Sequence, residues 1–238
     1  MVWPKPEKQT DICRCEPPLN KMINGLGLED VYGATIERII ARGGDKARLG
    51  MGALMWICHA ERPLRTDELC HALAIELGST DFSANNVPSI STLTSCCQGL
   101  ITADKEASTL PLAHFTLREY LAAHPDIFIR PHSTIAEICL TFLNSKQVKA
   151  IPDDPYPDLS HTPFLAYGSL YWGVHAKREL SENTISLALA LFQEYDNHIS
   201  TRLLLDHVDY EEYLVMGTIM IDQTMGVMID HDLIEGTL

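Results

Sequence analysis

The chain has 238 residues, 46% hydrophobic and 21% charged, which is enough apolar material for a packed core and excludes a polypeptide disordered throughout. Its 18 Lys and Arg stand against 32 Asp and Glu, a formal net charge of -14 that argues against a nucleic-acid backbone or an anionic membrane as principal partner. Residues 206–238 hold eight of those acids and no Lys or Arg, so the excess is concentrated at the C-terminal end.

The opening MVWPKPEKQT carries Pro and charge where a signal peptide needs an apolar stretch. No run of about 18 apolar residues follows, so a cytoplasmic protein with no membrane partner is expected. Seven cysteines in a chain this long fit thiols packed as small hydrophobes in a reducing compartment better than a disulfide framework. Cys13 and Cys15 stand one residue apart, too close for the usual zinc spacing, and no C-x-x-C follows, so no metal site is expected.

Residues 1–28, with Pro4, Pro6, Pro17 and Pro18 and no sustained period, read as an irregular lead-in. From Leu28 to Ala41, Val31, Ile36, Ile39 and Ile40 lie near one helical face, and Gly43-Gly44 supplies a stop. Asp45 is the expected N-cap of a core helix reaching Ala60, in which Leu49, Ala53, Leu54, Trp56 and Ile57 recur at spacings of three and four. After ERPLR, Thr66 caps a third helix with Leu69, Leu73 and Leu77 on its buried face, ended by Gly78. Pro88 opens a fourth helix through Ile90, Leu93 and Cys97 to Gly99.

The period then changes. LITAD and LPLAHF flank the polar link KEAST and predict a β-hairpin. Thr116 and Glu119 form a T-x-x-E capping box for a helix running to about His124, with Pro125 beyond. Three short helices, a hairpin and a helix launched from its second strand are the order of a winged-helix domain, which with the leading helix occupies residues 29–124. Residues 125–205 read as a helical array. Its helices are expected at Ser133–Asn144, at Pro163–Glu179 capped by Thr162 after the break IPDDPYPD, and from Glu182 to about Leu205. Residues 206–238 form an acidic segment containing Met216, Met220, Met225 and Met228, suited either to an adaptable partner surface or to gap filling. The fold class is therefore mostly α, a winged-helix domain with a small β-hairpin wing followed by helices.

The blocks LGMGALMWICHAERPLRTDELCHALAIELG, HFTLREYL and PFLAYGSLYWGVHA, in that order, resemble the segment that follows the NACHT nucleotide-binding domain in large fungal NOD-like proteins of the ankyrin-repeat type. In that family the first part is described as a winged helix like that of GPI inositol-deacylase. The resemblance implies a regulatory, non-enzymatic module that acts through protein contacts, with a NACHT domain as partner in cis or in trans. It departs from the family in having no G-x-x-x-x-G-K-[ST] and no ankyrin pattern, so no ADP or ATP site is expected in this chain alone. The resemblance also places His114, at the end of the second wing strand, where related NTPases set a His against the β-phosphate of ADP; the alternative is a structural His bonded to backbone.

Cys96 and Cys97 with His114 have the elements of a thiol nucleophile and base, but both thiols lie in an apolar helical pattern with no neighbouring cation. Tyr167, Tyr171, Trp172 and His175 could line a cleft, yet their three-to-four spacing is that of a packed helix. A DNA-binding regulator is the alternative function. Its recognition helix would be PSISTLTSCCQ, which has no Lys or Arg to hold phosphate.

Overall fold

The first helix forms where its apolar spacing places it. In the computed structural model, which describes residues 27–152, 159–193, 198–201 and 203, α1 spans Leu28–Ala41 and buries Ile36 and Ile39, while Val31 and Ile40 stay exposed. The N-terminal lead-in, most of the IPDDPYPD break and the acidic, Met-containing segment lie outside the described residues.

Helix α2 (Gly44–His59) starts after Gly43, whose φ of 63° is the left-handed conformation that glycine adopts without steric cost. Asp45 is therefore inside the first turn rather than the N-cap, paired with Arg48 at 3.5 Å. Leu49, Ala53, Leu54 and Trp56 are buried as predicted.

Helix α3 (Thr66–Ala74) corrects two expectations. Thr66 is its first residue and Arg65 its N-cap. The Thr66 hydroxyl is engaged elsewhere, donating to the Ser108 carbonyl at 2.9 Å beside the Thr66 N–H at 2.8 Å. The helix also ends at Ala74, not near Gly78, and Leu77 is 48% exposed instead of buried. Arg48 Nη1 donates to the Leu73 carbonyl at 2.9 Å, satisfying one of the groups that the early stop leaves open.

Helix α4 (Ile90–Cys96) is capped by Ser89, which accepts from the Thr92 N–H, so Pro88 precedes the helix instead of opening it. Beyond Gly99, whose φ is 84°, the expected hairpin is reduced to isolated antiparallel bridges, Ile101 with Leu112 and Asp104 with Thr109; no strand forms among the described residues. Pro111 has no N–H to give, and it enters the ladder only as acceptor from Thr102 at 3.0 Å. A third bridge, Arg65 with Thr109, ties this segment to the start of α3.

Helix α5 (Phe115–Ala123) leads through a 3-10 turn (Pro125–Ile127) to α6 (Pro131–Leu143), α7 (Lys146–Lys149), α8 (Leu165–Arg178) and α9 (Glu182–Phe192). Thr162 does not cap α8: its hydroxyl donates to Leu159 O, and Phe164 holds the N-cap position. The helix predicted to run from Glu182 to Leu205 stops at Phe192, and a separate helical stretch includes residues 199–201.

Helix α6 packs chiefly on α8 and α9, and α2 joins this array to α1, α3 and α4. The buried apolar residues form one continuous core from Ile36 to Ile199. Its centre is aromatic. Trp56 of α2 meets the edges of Phe164 and Tyr167 at centroid distances of 5.6 Å each, the edge-to-face geometry that aromatic quadrupoles favour.

Candidate functional site

Polar side chains gather where the chain after α2 meets α6 and α8. Glu61 lies two residues past α2, His132 is the second residue of α6, and His175 is in the last turns of α8. His175 is 0% exposed, while Glu61 and His132 are partly open to solvent.

Hydrogen bonds join them in one chain. The Glu61 N–H donates to Tyr167 Oη at 3.1 Å, Tyr167 Oη lies 2.9 Å from His175 Nε2, and His175 Nδ1 lies 2.8 Å from His132 Nδ1. One assignment of the protons satisfies every contact. A phenol oxygen already accepting from Glu61 gives its own hydrogen to His175 Nε2. His175 then carries its proton on Nδ1 and donates to His132 Nδ1, which leaves the His132 proton on Nε2. Both rings must be neutral for this pattern.

The electrostatics agree. Burial foremost, then His132, Arg178 and His59, hold His175 down to about 3. His132 is lowered by burial and then by Arg178, against an upward pull from Glu61 and Glu179; His59 is lowered by burial and His132. Burial likewise keeps the Tyr167 phenol protonated, far above its ordinary range. Arg178 faces Glu61 with Nη1 2.5 Å from Oε1 and Nη2 2.9 Å from Oε2. Oε1 is nevertheless buried with no well-directed hydrogen bond, and it lies 4.0 Å from His175 Nε2.

A second knot sits beside the first. Arg62 holds Glu68 with two hydrogen bonds, at 2.8 and 2.7 Å, and Glu68 Oε2 also accepts the Arg65 N–H at 2.8 Å. Burial works to raise the Glu68 carboxyl, but Arg62 and the Arg65 amide together hold it below the usual range. The same guanidinium rests over the rings of Tyr167 and Tyr171, at 5.3 and 6.0 Å.

The residues singled out in the sequence lie apart from this cluster, His175 and Tyr167 excepted. His114 is the N-cap of α5: Nδ1 accepts from the Thr116 N–H at 3.3 Å and lies 2.7 Å from Thr116 Oγ1. Thr116 Oγ1 in turn meets Tyr32 Oη of α1 at 2.7 Å. The expected capping box is therefore corrected. Thr116 is the second helical residue with its hydroxyl already engaged, Glu119 is exposed, and the imidazole does the capping. Cys96 and Cys97 are buried, Cys97 Sγ is directed to the Gly50 carbonyl at 3.7 Å, and burial pushes its thiol up to about 12. Trp172 packs on Phe192 in the core.

Residues that the sequence did not single out are Glu61, Arg62, Glu68, His132 and Arg178. The tight run ERPLRTDE, with three acids and two arginines, was the visible signal for part of this group. Nothing local announces His132.

An apolar groove of about 660 Å³ opens on another side, between α2, α3 and α6. Its lining includes the outward-facing Ile40, Leu77 and Ile129, which are 54%, 48% and 84% exposed. Among the described residues no helix is long and apolar enough to cross a membrane.

Residues 37–130 match the family described as GPI inositol-deacylase, winged helix domain, which supports a winged-helix reading of this region. No curated protein and no solved structure matches the chain.

Proposed function

We propose that the chain is a non-enzymatic regulatory module of the cytoplasm, working through protein contact on a NACHT-type nucleotide-binding domain in cis or in trans. The observation that carries this reading is the groove rimmed by Ile40, Leu77 and Ile129. Exposed apolar residues grouped around a concavity mark surfaces that other proteins cover. The three-block resemblance to the post-NACHT region of fungal NOD-like proteins supplies the partner class, and the winged-helix match over residues 37–130 supports the first of those blocks.

DNA binding fits less well. Helix α4, in the recognition position, exposes Ile90, Ser91, Thr92 and Ser95 and carries no cation.

Calorimetry of the purified chain with a recombinant NACHT-type domain from the same genome tests the proposal. Saturable binding is expected, weakened about tenfold, or roughly 1.4 kcal/mol, by Ile129→Asp. Radiolabelled ATP and ADP should not be retained by the chain alone. ATP hydrolysis by the isolated chain, or a salt-dependent gel shift of duplex DNA, would overturn the reading.

A further inference from the structure

Two imidazole nitrogens that face each other at 2.8 Å cannot both present lone pairs; a hydrogen carried by one of them, or a bound cation, has to lie between them. In the hydrogen-bonded form it is the hydrogen on His175 Nδ1. A carboxylate belongs to the same cluster. Glu61, His132 and His175 each offer one ligand atom, all within 4.8 Å of one another. Glu61 Oε1, buried and without a well-directed hydrogen bond, lies 4.0 Å from His175 Nε2. We propose that Glu61, His132 and His175 form a binding site for a divalent transition-metal ion of the Zn²⁺ class, which replaces the shared proton and ties the winged-helix domain to α6 and α8.

The donor set suits such an ion. Two neutral imidazoles and one carboxylate are borderline-soft ligands of the kind Zn²⁺ takes, and three protein ligands leave a fourth position open. Metal–nitrogen bonds of about 2.0–2.1 Å at a tetrahedral angle need the two nitrogens roughly 3.3 Å apart. The gap must therefore widen by about half an ångström. His132 can supply that shift, because it is partly exposed at the start of α6 while His175 is fully enclosed.

The proton balance is explicit. Loading releases no proton from the His175–His132 pair: both rings stay neutral, and the one His175 proton passes from Nδ1 to Nε2, leaving Nδ1 to the ion. The Tyr167 hydroxyl hydrogen turns away and Oη, 2.9 Å distant, accepts that N–H on its second lone pair, the outer contact that orients a ligating histidine. His132 already bears its proton on Nε2. Arg178 gives up Oε1 and keeps Oε2, to which Nη2 is bonded at 2.9 Å; half-exposed, it has room to move. Its positive charge, partly offset by Glu179, sets the ion's main electrostatic opposition.

The test uses the full purified chain and Co²⁺ as spectroscopic probe, with Zn²⁺ in parallel thermal unfolding. One Co²⁺ per chain is expected, with visible d–d bands, no thiolate-to-cobalt charge transfer, and a rise in Tm with Zn²⁺. His132→Gln and Glu61→Gln should each weaken uptake at least about tenfold. X-ray absorption of the Zn²⁺-loaded wild type should show imidazole and oxygen donors, a readout independent of whether either variant folds. Absence of saturable uptake, sulfur in the coordination sphere, or affinity unchanged in both variants would overturn the proposal.

Discussion

The Nδ1 atoms of His132 and His175 stand 2.8 Å apart across the packed faces of α6 and α8, one bearing a proton and the other accepting it. Because that bond is lost once both rings are protonated, the junction between the two helices is tied to proton concentration. The groups facing it are His59 and Glu61 from the end of α2, Glu179 and Arg178 from the end of α8, and Tyr167.

Acid should loosen this junction. His175, His132 and His59 titrate below their ordinary 6.5 in the folded chain, so between the folded and unfolded values the unfolded chain binds more protons. Stability is then fully present above about pH 6.5 and falls as pH drops toward 3, by up to about 1.4 kcal/mol per pH unit for each extra proton bound. Urea unfolding between pH 7.5 and 4.5 checks the sign, and a midpoint that rises on acidification would contradict it.

Tyr167→Phe removes one oxygen and strands two groups, the Glu61 N–H and His175 Nε2. The expected loss is about 1–3 kcal/mol, the cost of leaving buried polar groups unpaired. Denaturant unfolding measures it, and wild-type stability would show that the chain of hydrogen bonds carries no load.

Glu68→Gln tests the neighbouring ion pair. Glu68 is 3% exposed and meets three donors, so the variant should lose about 2 kcal/mol or more. Asp67→Asn, which breaks the exposed pair with Arg65, should cost less than about 1 kcal/mol. Equal losses in the two variants would refute the distinction.

Gly50 sits at a close approach of α2 to α4. A Cβ there would lie 2.9 Å from the Cys96 carbonyl oxygen and 2.8 Å from Ile39 Cγ2. Since backbone yields little, Gly50→Ala should destabilise by about 1–3 kcal/mol. Gly52→Ala, opposed by one flexible Leu73 methyl, should cost less. Thermal unfolding ranks the pair, and the reverse order would count against this packing.

Cys96 and Cys97 should resist aromatic disulfide reagents in the native state, because both are buried and the Cys97 thiol is pushed up to about 12. Peptide mapping after labelling, with and without denaturant, checks this. Rapid native labelling at Cys97 would reopen the thiol-nucleophile reading.

Most helix positions were legible without any fold. Ile36 and Ile39 in α1, Leu49 to Trp56 in α2, and Ile135, Cys139 and Phe142 in α6 repeat at three and four residues, and the buried face follows from that spacing alone. Caps were less legible, since a cap depends on which hydroxyl is free. Thr66 is taken by the Ser108 carbonyl and Thr116 by Tyr32 and His114, neither choice being written in the neighbouring residues.

Amino-acid order by itself determined the mostly helical class and the burial stripes, and it pointed to a winged helix with its leading helix over residues 29–124, a reading that the family match over 37–130 supports. Tertiary structure alone decided that Glu61 meets Tyr167 across 106 residues and that His132 meets His175 across 43. Helical period is a relation between residues three or four apart and is readable along the chain. A shared proton or a ligand set is a relation between surfaces, and it exists only once hydrophobic burial has brought α2, α6 and α8 together.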